Sequence, residues 1–199
     1  MAGYLGNIPS AVPLTSADIA DSIITSAKIA DGTIALADLS ATGTKDATTF
    51  LRGDNSFASA GATAGQVIQV VTATTSTAFT TTSSSFTAVT NLSVSITPSS
   101  ASNKILILVS STIHVNSANQ AGRVTIFRGA TDLGNSTKGL SAIYASSGTI
   151  VAPLHISFLD SPSTTSATTY QVYIKTTGGT VFVPWDDEKS SITVLEIKG

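Results

Sequence analysis

The groups in this chain suited to acid–base or nucleophilic chemistry are two histidines, His114 and His155, and one acidic run, Asp186-Asp187-Glu188. A serine hydrolase of the elbow type carries its serine on a sharp turn, and no Gly-x-Ser-x-Gly stretch marks such a turn here. Both histidines fall inside alternating, β-branched stretches, where an imidazole is more often a hydrogen-bonded packing residue than a base. The acidic run follows Val183-Pro184-Trp185 on an expected tip loop. Calcium takes about six to eight oxygen ligands, and three adjacent carboxylates do not converge on one ion without help from other loops. A solvated turn is the plainer reading. Glycoside hydrolysis needs two carboxyl groups at a defined separation across a cleft, so a polysaccharide hydrolase using Asp186, Asp187 and Glu188 is the enzymatic alternative. Cysteine is absent, which removes thiolate nucleophiles, thiolate metal sites and disulfides together. The chain is expected not to be an enzyme, with no catalytic residue, metal or cofactor.

Residues suited to recognition are better represented. Trp185 is the single tryptophan and stands beside charge. An aromatic face with polar neighbours suits contact with a receptor glycan, while simple packing is the alternative. Tyr144, just before Ala-Ser-Ser-Gly, is a second such residue. Trp185, Asp186, Asp187 and Tyr144 are therefore the candidate receptor contacts. The triplet Arg52-Gly53-Asp54 invites an integrin-binding reading. A tight turn explains it better, with Gly53 supplying backbone freedom and Asp54-Asn55 the turn hydrogen bonds. Phe50 and Phe57 flank that turn and would plug the axis of an assembly of copies.

Composition narrows the setting for these residues. A length of 199 residues bounds the chain to one or two domains. Hydrophobic residues make up an ordinary 42%, but charged residues only 11%, against roughly 25% in a typical soluble domain. Serine and threonine fill the gap, giving a hydroxyl-covered surface suited to an exported or particle-borne protein. A net charge of −2 offers no cationic footprint for nucleic acid. Residues 1–10 lack both the basic and the apolar parts of a secretory signal. No apolar run approaches the roughly 18 residues of a membrane span, so no membrane insertion is expected. The expected route out of the cytoplasm is one such as host lysis.

The elements that hold these residues fall into four stretches. Residues 1–13 form an apolar leader broken by Gly3, Gly6, Pro9 and Pro13. Residues 14–40 place a large aliphatic residue at every fifth position: Leu14, Ile19, Ile24, Ile29, Ile34 and Leu39. A helix needs apolar spacings of three and four, and a strand a spacing of two. A spacing of five with Asp31-Gly32 inside it fits a single helical turn followed by a short extended piece. A continuous amphipathic helix over residues 16–39 is the alternative. Stacked repeats need about three or more units to bury their own apolar face, so this short ladder must be completed by identical chains. Residues 41–65 form a small-residue neck.

Residues 66–199 read as strand after strand, with strands expected over 67–71, 92–97, 104–116, 123–128, 149–159, 169–176, 181–183 and 191–197. That density, with no helical period between, predicts an antiparallel sandwich. Ile105, Ile107 and Val109 alternate with Leu106 and Leu108, which predicts a central strand buried on both faces.

The order of these strands resembles the trimeric jelly roll of the tumour-necrosis-factor and complement globular-head type. The leader MAGYLGN, the Asp-Gly-Thr-Ile decads and Thr-Phe-Leu-Arg-Gly-Asp-Asn-Ser-Phe at 49–57 resemble bacteriophage tail-fibre and other virion-appendage proteins. Those often carry Phe-Leu-Arg-Gly-Asp-Gly-Thr-Trp, where this chain has Asn55 and Phe57. The resemblance implies a virion protein and a mainly β homotrimer: a short repeat shaft at 14–40, a neck, and a jelly-roll knob at 66–199. The shaft core would be Leu14, Ile19, Ile24, Ile29, Ile34 and Leu39. Tyr4, Leu5 and Ile8 would anchor the leader to other virion proteins, and the knob would touch a host surface glycan or protein. Attachment to a tail, a head or a neck stays open at this point.

Overall fold

The computed structural model describes residues 24–199. Leu14 and Ile19 of the ladder, and Tyr4, Leu5 and Ile8 of the leader, lie outside the described residues. The chain divides into two compact units, Met1–Gly61 and Ala62–Gly199.

In the described part of the first unit the five-residue ladder becomes single-turn 3-10 helices at Ser26–Lys28 and Leu36–Asp38. Between them Thr33 N–H donates to the Ala30 carbonyl at 3.1 Å, closing a turn in which Gly32 takes a φ of +76°. No continuous helix runs through residues 24–39. Ile24, Ile29 and Ile34 are exposed, and Leu39 is half-buried.

Strands β1 (Thr49–Leu51) and β2 (Phe57–Ser59) form a hairpin with Leu51 opposite Phe57. Arg52-Gly53-Asp54 lies in its turn. Arg52 N–H donates to the Ser56 carbonyl at 2.8 Å, and Asn55 takes a φ of +60°. The Asp54 carboxylate accepts from the Ser56 N–H at 3.1 Å and the Ser56 hydroxyl at 2.6 Å, a side-chain mimic of a backbone turn. Phe50 is exposed and Phe57 half-buried.

The second unit is a two-sheet sandwich. Its strands are β3 (Val67–Thr75), β4 (Phe79–Thr81), β5 (Thr87–Ile96), β6 (Lys104–Val115), β7 (Gln120–Arg128), β8 (Thr131–Asp132), β9 (Ser141–Ala145), β10 (Ile150–Asp160), β11 (Thr168–Thr176), β12 (Val181–Val183) and β13 (Ser190–Ile197). All pairings between them are antiparallel. In the first sheet β3 pairs β13, β13 pairs β6 and β6 pairs β10, while β12 and β4 continue alongside the far end of β6. The second sheet runs β5-β11-β7, with β8 and β9 both on the outer edge of β7. Successive long strands alternate between the sheets, which is the winding of a jelly roll.

Alternation builds the core. Ile105, Ile107, Val109, Ile113 and Val115 of β6, with Ile192 and Val194 of neighbouring β13, share one core with Val124 and Ile126 of β7 and Val172 and Ile174 of β11 in the other sheet. Gly122 lets the sheets approach, since a Cβ there would lie 2.7 Å from Val115 Cγ2 and 2.9 Å from Val181 Cγ2. One expectation needs correction. β6 is central but is not buried on both faces: Leu106 is half-buried and Leu108 is exposed. Among the described residues one layer packs on the strand, and nothing covers its outer side around Leu106 and Leu108.

Candidate functional site

The register of the first sheet sorts its outer face into rows. Leu195 lies opposite both Val70 and Leu106, and Leu106 lies opposite Leu159. This makes one apolar row across β3, β13, β6 and β10, in which Val70 is 57% and Leu159 52% exposed. The next row is Thr72, Thr193, Leu108 and Ser157, and the one after it Thr74, Ser191, Ser110 and His155. The Thr72 and Thr193 hydroxyls hydrogen-bond at 3.0 Å. Leu108, Ser110, His155, Ser157, Ser191 and Thr193 line a shallow depression. His155 is exposed, and its imidazole makes no hydrogen bond among the described residues.

At the far end of that face Phe182 and Val151 flank His114 in register. Trp185 folds back over this pair, its ring centroid 3.9 Å from that of His114 and 5.1 Å, edge-on, from that of Phe182. A hydrogen bond of 3.0 Å from Trp185 N–H to Thr112 Oγ1 fixes the fold-back. His114 is buried, its Nδ1 has no partner among the described residues, and burial pushes its pKa below the ordinary 6.5. The imidazole packs against the aromatic rings, and the hydrogen bond expected of it is missing at that nitrogen. Trp185 is half-buried, and its ring packs on His114 and Phe182.

Asp186 and Asp187 lie in the loop joining β12 to β13, both at positive φ, and are exposed with Glu188. Asp187 accepts from Ala78 N–H at 3.2 Å, tying the loop to the break between β3 and β4. No group of three His, Cys, Asp or Glu placed to hold a metal ion occurs among the described residues. Tyr144 is on the other sheet. It lies opposite Ala121 on the outer face of β9, is exposed, and its hydroxyl reaches Asn119 Oδ1 at 3.4 Å. Trp185 and Tyr144 therefore look out from opposite faces of the sandwich and do not form one contact.

Two buried carboxylates that sequence reasoning passed over hold the sandwich ends. Asp160 accepts from Arg128 Nη1 at 2.8 and 2.9 Å and from the Tyr170 hydroxyl at 2.7 Å. Burial, reinforced by that bond and the Asp160 charge, pushes the Tyr170 phenol upward. Glu196 Oε1 accepts from Ser99 N–H at 2.6 Å, the Ser99 hydroxyl at 2.9 Å and Asn103 Nδ2 at 2.6 Å. Burial alone would raise the Glu196 pKa, but these bonds outweigh it and hold the carboxyl below its ordinary 4.5. Both acids stand at inward positions of their alternating strands, which was the available clue.

No protein-family model and no curated protein matches the chain. Among solved structures, one of the Gx strain of infectious bursal disease virus is similar over 67% of this chain and 33% of that one, at 13% identity and a TM-score of 0.36. A VP2 subviral particle of infectious bursal disease virus is similar over 72% of this chain and 39% of that one, at 12% identity and a TM-score of 0.32. The chain thus spans about a third of the length of the first.

Proposed function

We propose that this protein is a non-enzymatic structural component of a bacteriophage particle, a homotrimeric appendage whose sandwich unit contacts a host surface. The observation that carries the reading is the uncovered apolar row Val70–Leu195–Leu106–Leu159, with Leu108 beside it, on a sheet whose other face is already the core. Leaving several half-exposed aliphatic side chains side by side forgoes roughly 1 kcal/mol each, and contiguous exposed apolar patches mark association surfaces. Exposed Ile24, Ile29 and Ile34 in the first unit support the same conclusion. Copies of the chain supply what covers both. Three equivalent units then turn weak surface contacts into avidity through high effective concentration. The sequence resemblance to appendage proteins supports placing the assembly on a virion.

Antibody labelling of assembled particles tests the role. Label at a defined outer position is expected, and particles purified free of the chain would overturn the reading. The same images separate tail from head or neck attachment.

A further inference from the structure

We infer that the outer face of the second sheet, around Arg123 and Tyr144, binds the carboxylate groups of an acidic polysaccharide. The inference rests on the recognition role proposed above and names the ligand chemistry. If copies cover the first sheet, the second sheet is the face left for a ligand.

Arg123 projects from the middle of β7 with Lys175 of β11 directly opposite on one side and Ala142 of β9 on the other. Like charges directly opposite in an antiparallel pair destabilise it. The sheet nonetheless keeps both cations. Lys175 is turned aside, its Nζ donating to the Ser136 carbonyl at 2.9 Å and lying 4.2 Å from the centre of the Phe86 ring. Half-buried Arg123 makes no hydrogen bond or ion pair among the described residues.

No acid among the described residues hydrogen-bonds or pairs with it. Asp132, the carboxylate nearest along this edge, accepts from Thr125 Oγ1 and Gly134 N–H. Asp160 is committed to Arg128 and Tyr170. The acidic tip loop belongs to the opposite sheet.

The surroundings of Arg123 are low. Ala121 and Ala142 are its small neighbours on the outer face, and exposed Tyr144 stands diagonally beside it. A guanidinium grips a carboxylate with two parallel hydrogen bonds. An exposed tyrosine offers a flat apolar face and a hydroxyl to the attached ring. A peptide would be read by a free strand edge or side-chain pockets, whereas Arg123 stands on β7, paired on both sides by β11 and β9, with small Ala121 and Ala142 beside it. An acidic sugar fits better than an acidic peptide.

The test is binding of the full chain to immobilised polygalacturonate, alginate, hyaluronan and polysialic acid at low salt. Carboxyl-esterified forms and poly-glutamate are run beside them. Binding to at least one acidic polysaccharide is expected, weakened by about tenfold or more on esterification and in Arg123→Gln. Tyr144→Ala should weaken it as well. Arg123→Gln should melt no lower than the parent, because it removes a like-charge pair, whereas a structural arginine would lower the melting temperature. No binding to any of the four, equal binding of ester and acid, unchanged binding by Arg123→Gln, or tighter binding of poly-glutamate would overturn the inference. Mass measured on the same sample separates the two claims: a trimer that ignores acidic glycans refutes this inference alone, and a monomer refutes the appendage reading.

Discussion

Replacing Glu196 by glutamine keeps the shape of the side chain and removes its charge. Three short hydrogen bonds then lose their charge assistance, those from Ser99 N–H, Ser99 Oγ and Asn103 Nδ2. A bond to a charged group contributes about 1 kcal/mol more than a neutral one, so the expected loss is about 2–3 kcal/mol. The effect reaches further than one side chain. Glu196 holds the loop between β5 and β6, and Asn103 of that loop in turn accepts from Gly199 N–H at 3.0 Å. Thermal unfolding at pH 7 should show a drop of about 6–12 °C.

The pH profile gives an independent reading of the same group. The folded pKa of Glu196 lies below its ordinary 4.5, so the unfolded state takes up the proton first as pH falls. The stabilisation is complete above the unfolded value and disappears as pH drops through the folded one. Melting temperature of the parent should therefore fall more steeply than that of Glu196→Gln below pH 4.5. Equal stability at pH 7, or parallel curves into acid, would refute the reasoning.

Two further perturbations probe packing. Gly122→Ala puts a methyl group within 3 Å of Val115 and Val181, an overpacking that should cost about 1–3 kcal/mol; an unchanged urea midpoint would contradict the inter-sheet role. Trp185→Ala uncovers His114, whose pKa burial now holds below 6.5. The imidazole titration followed by NMR should move upward toward that value, and an unmoved titration would show that Trp185 is not the cover.

Much of the fold was legible in the residues. Alternation and β-branching located the strands that became β3, β5, β6, β7, β10, β11, β12 and β13, because each presents an apolar stripe to the core. The short strands β4, β8 and β9 escaped notice. Phe-Thr-Thr, Thr-Asp and Ser-Ala-Ile-Tyr-Ala are too short or too polar to show a period; β8 and β9 line the edge of the longer β7, and β4 pairs the equally short β12. Leu106 and Leu108 mark the boundary of what alternation can tell. Their apolarity was read as burial on both faces, but the outer face they form is left open among the described residues.

Of the proposed contact residues, Tyr144 was read from the sequence as a candidate receptor contact. Its partner Arg123 was not, since a lone arginine in a strand acquires meaning only when register sets Lys175 opposite it. Trp185 was read beside its acidic neighbours, whereas pairing of β12 with β6 brings its ring over His114 on the outer face of the first sheet.

The central claim is that copies of this chain cover the outer face of the first sheet. Its most direct measurement is the native mass of the full chain at micromolar concentration, compared with a Leu108→Asp variant. The account predicts about 60 kDa for the parent, three copies of the 20.1 kDa chain, and a shift toward single chains for the variant, because a carboxylate in an apolar interface goes unpaired. A parent that runs as a monomer, or a variant that stays fully trimeric, would contradict it.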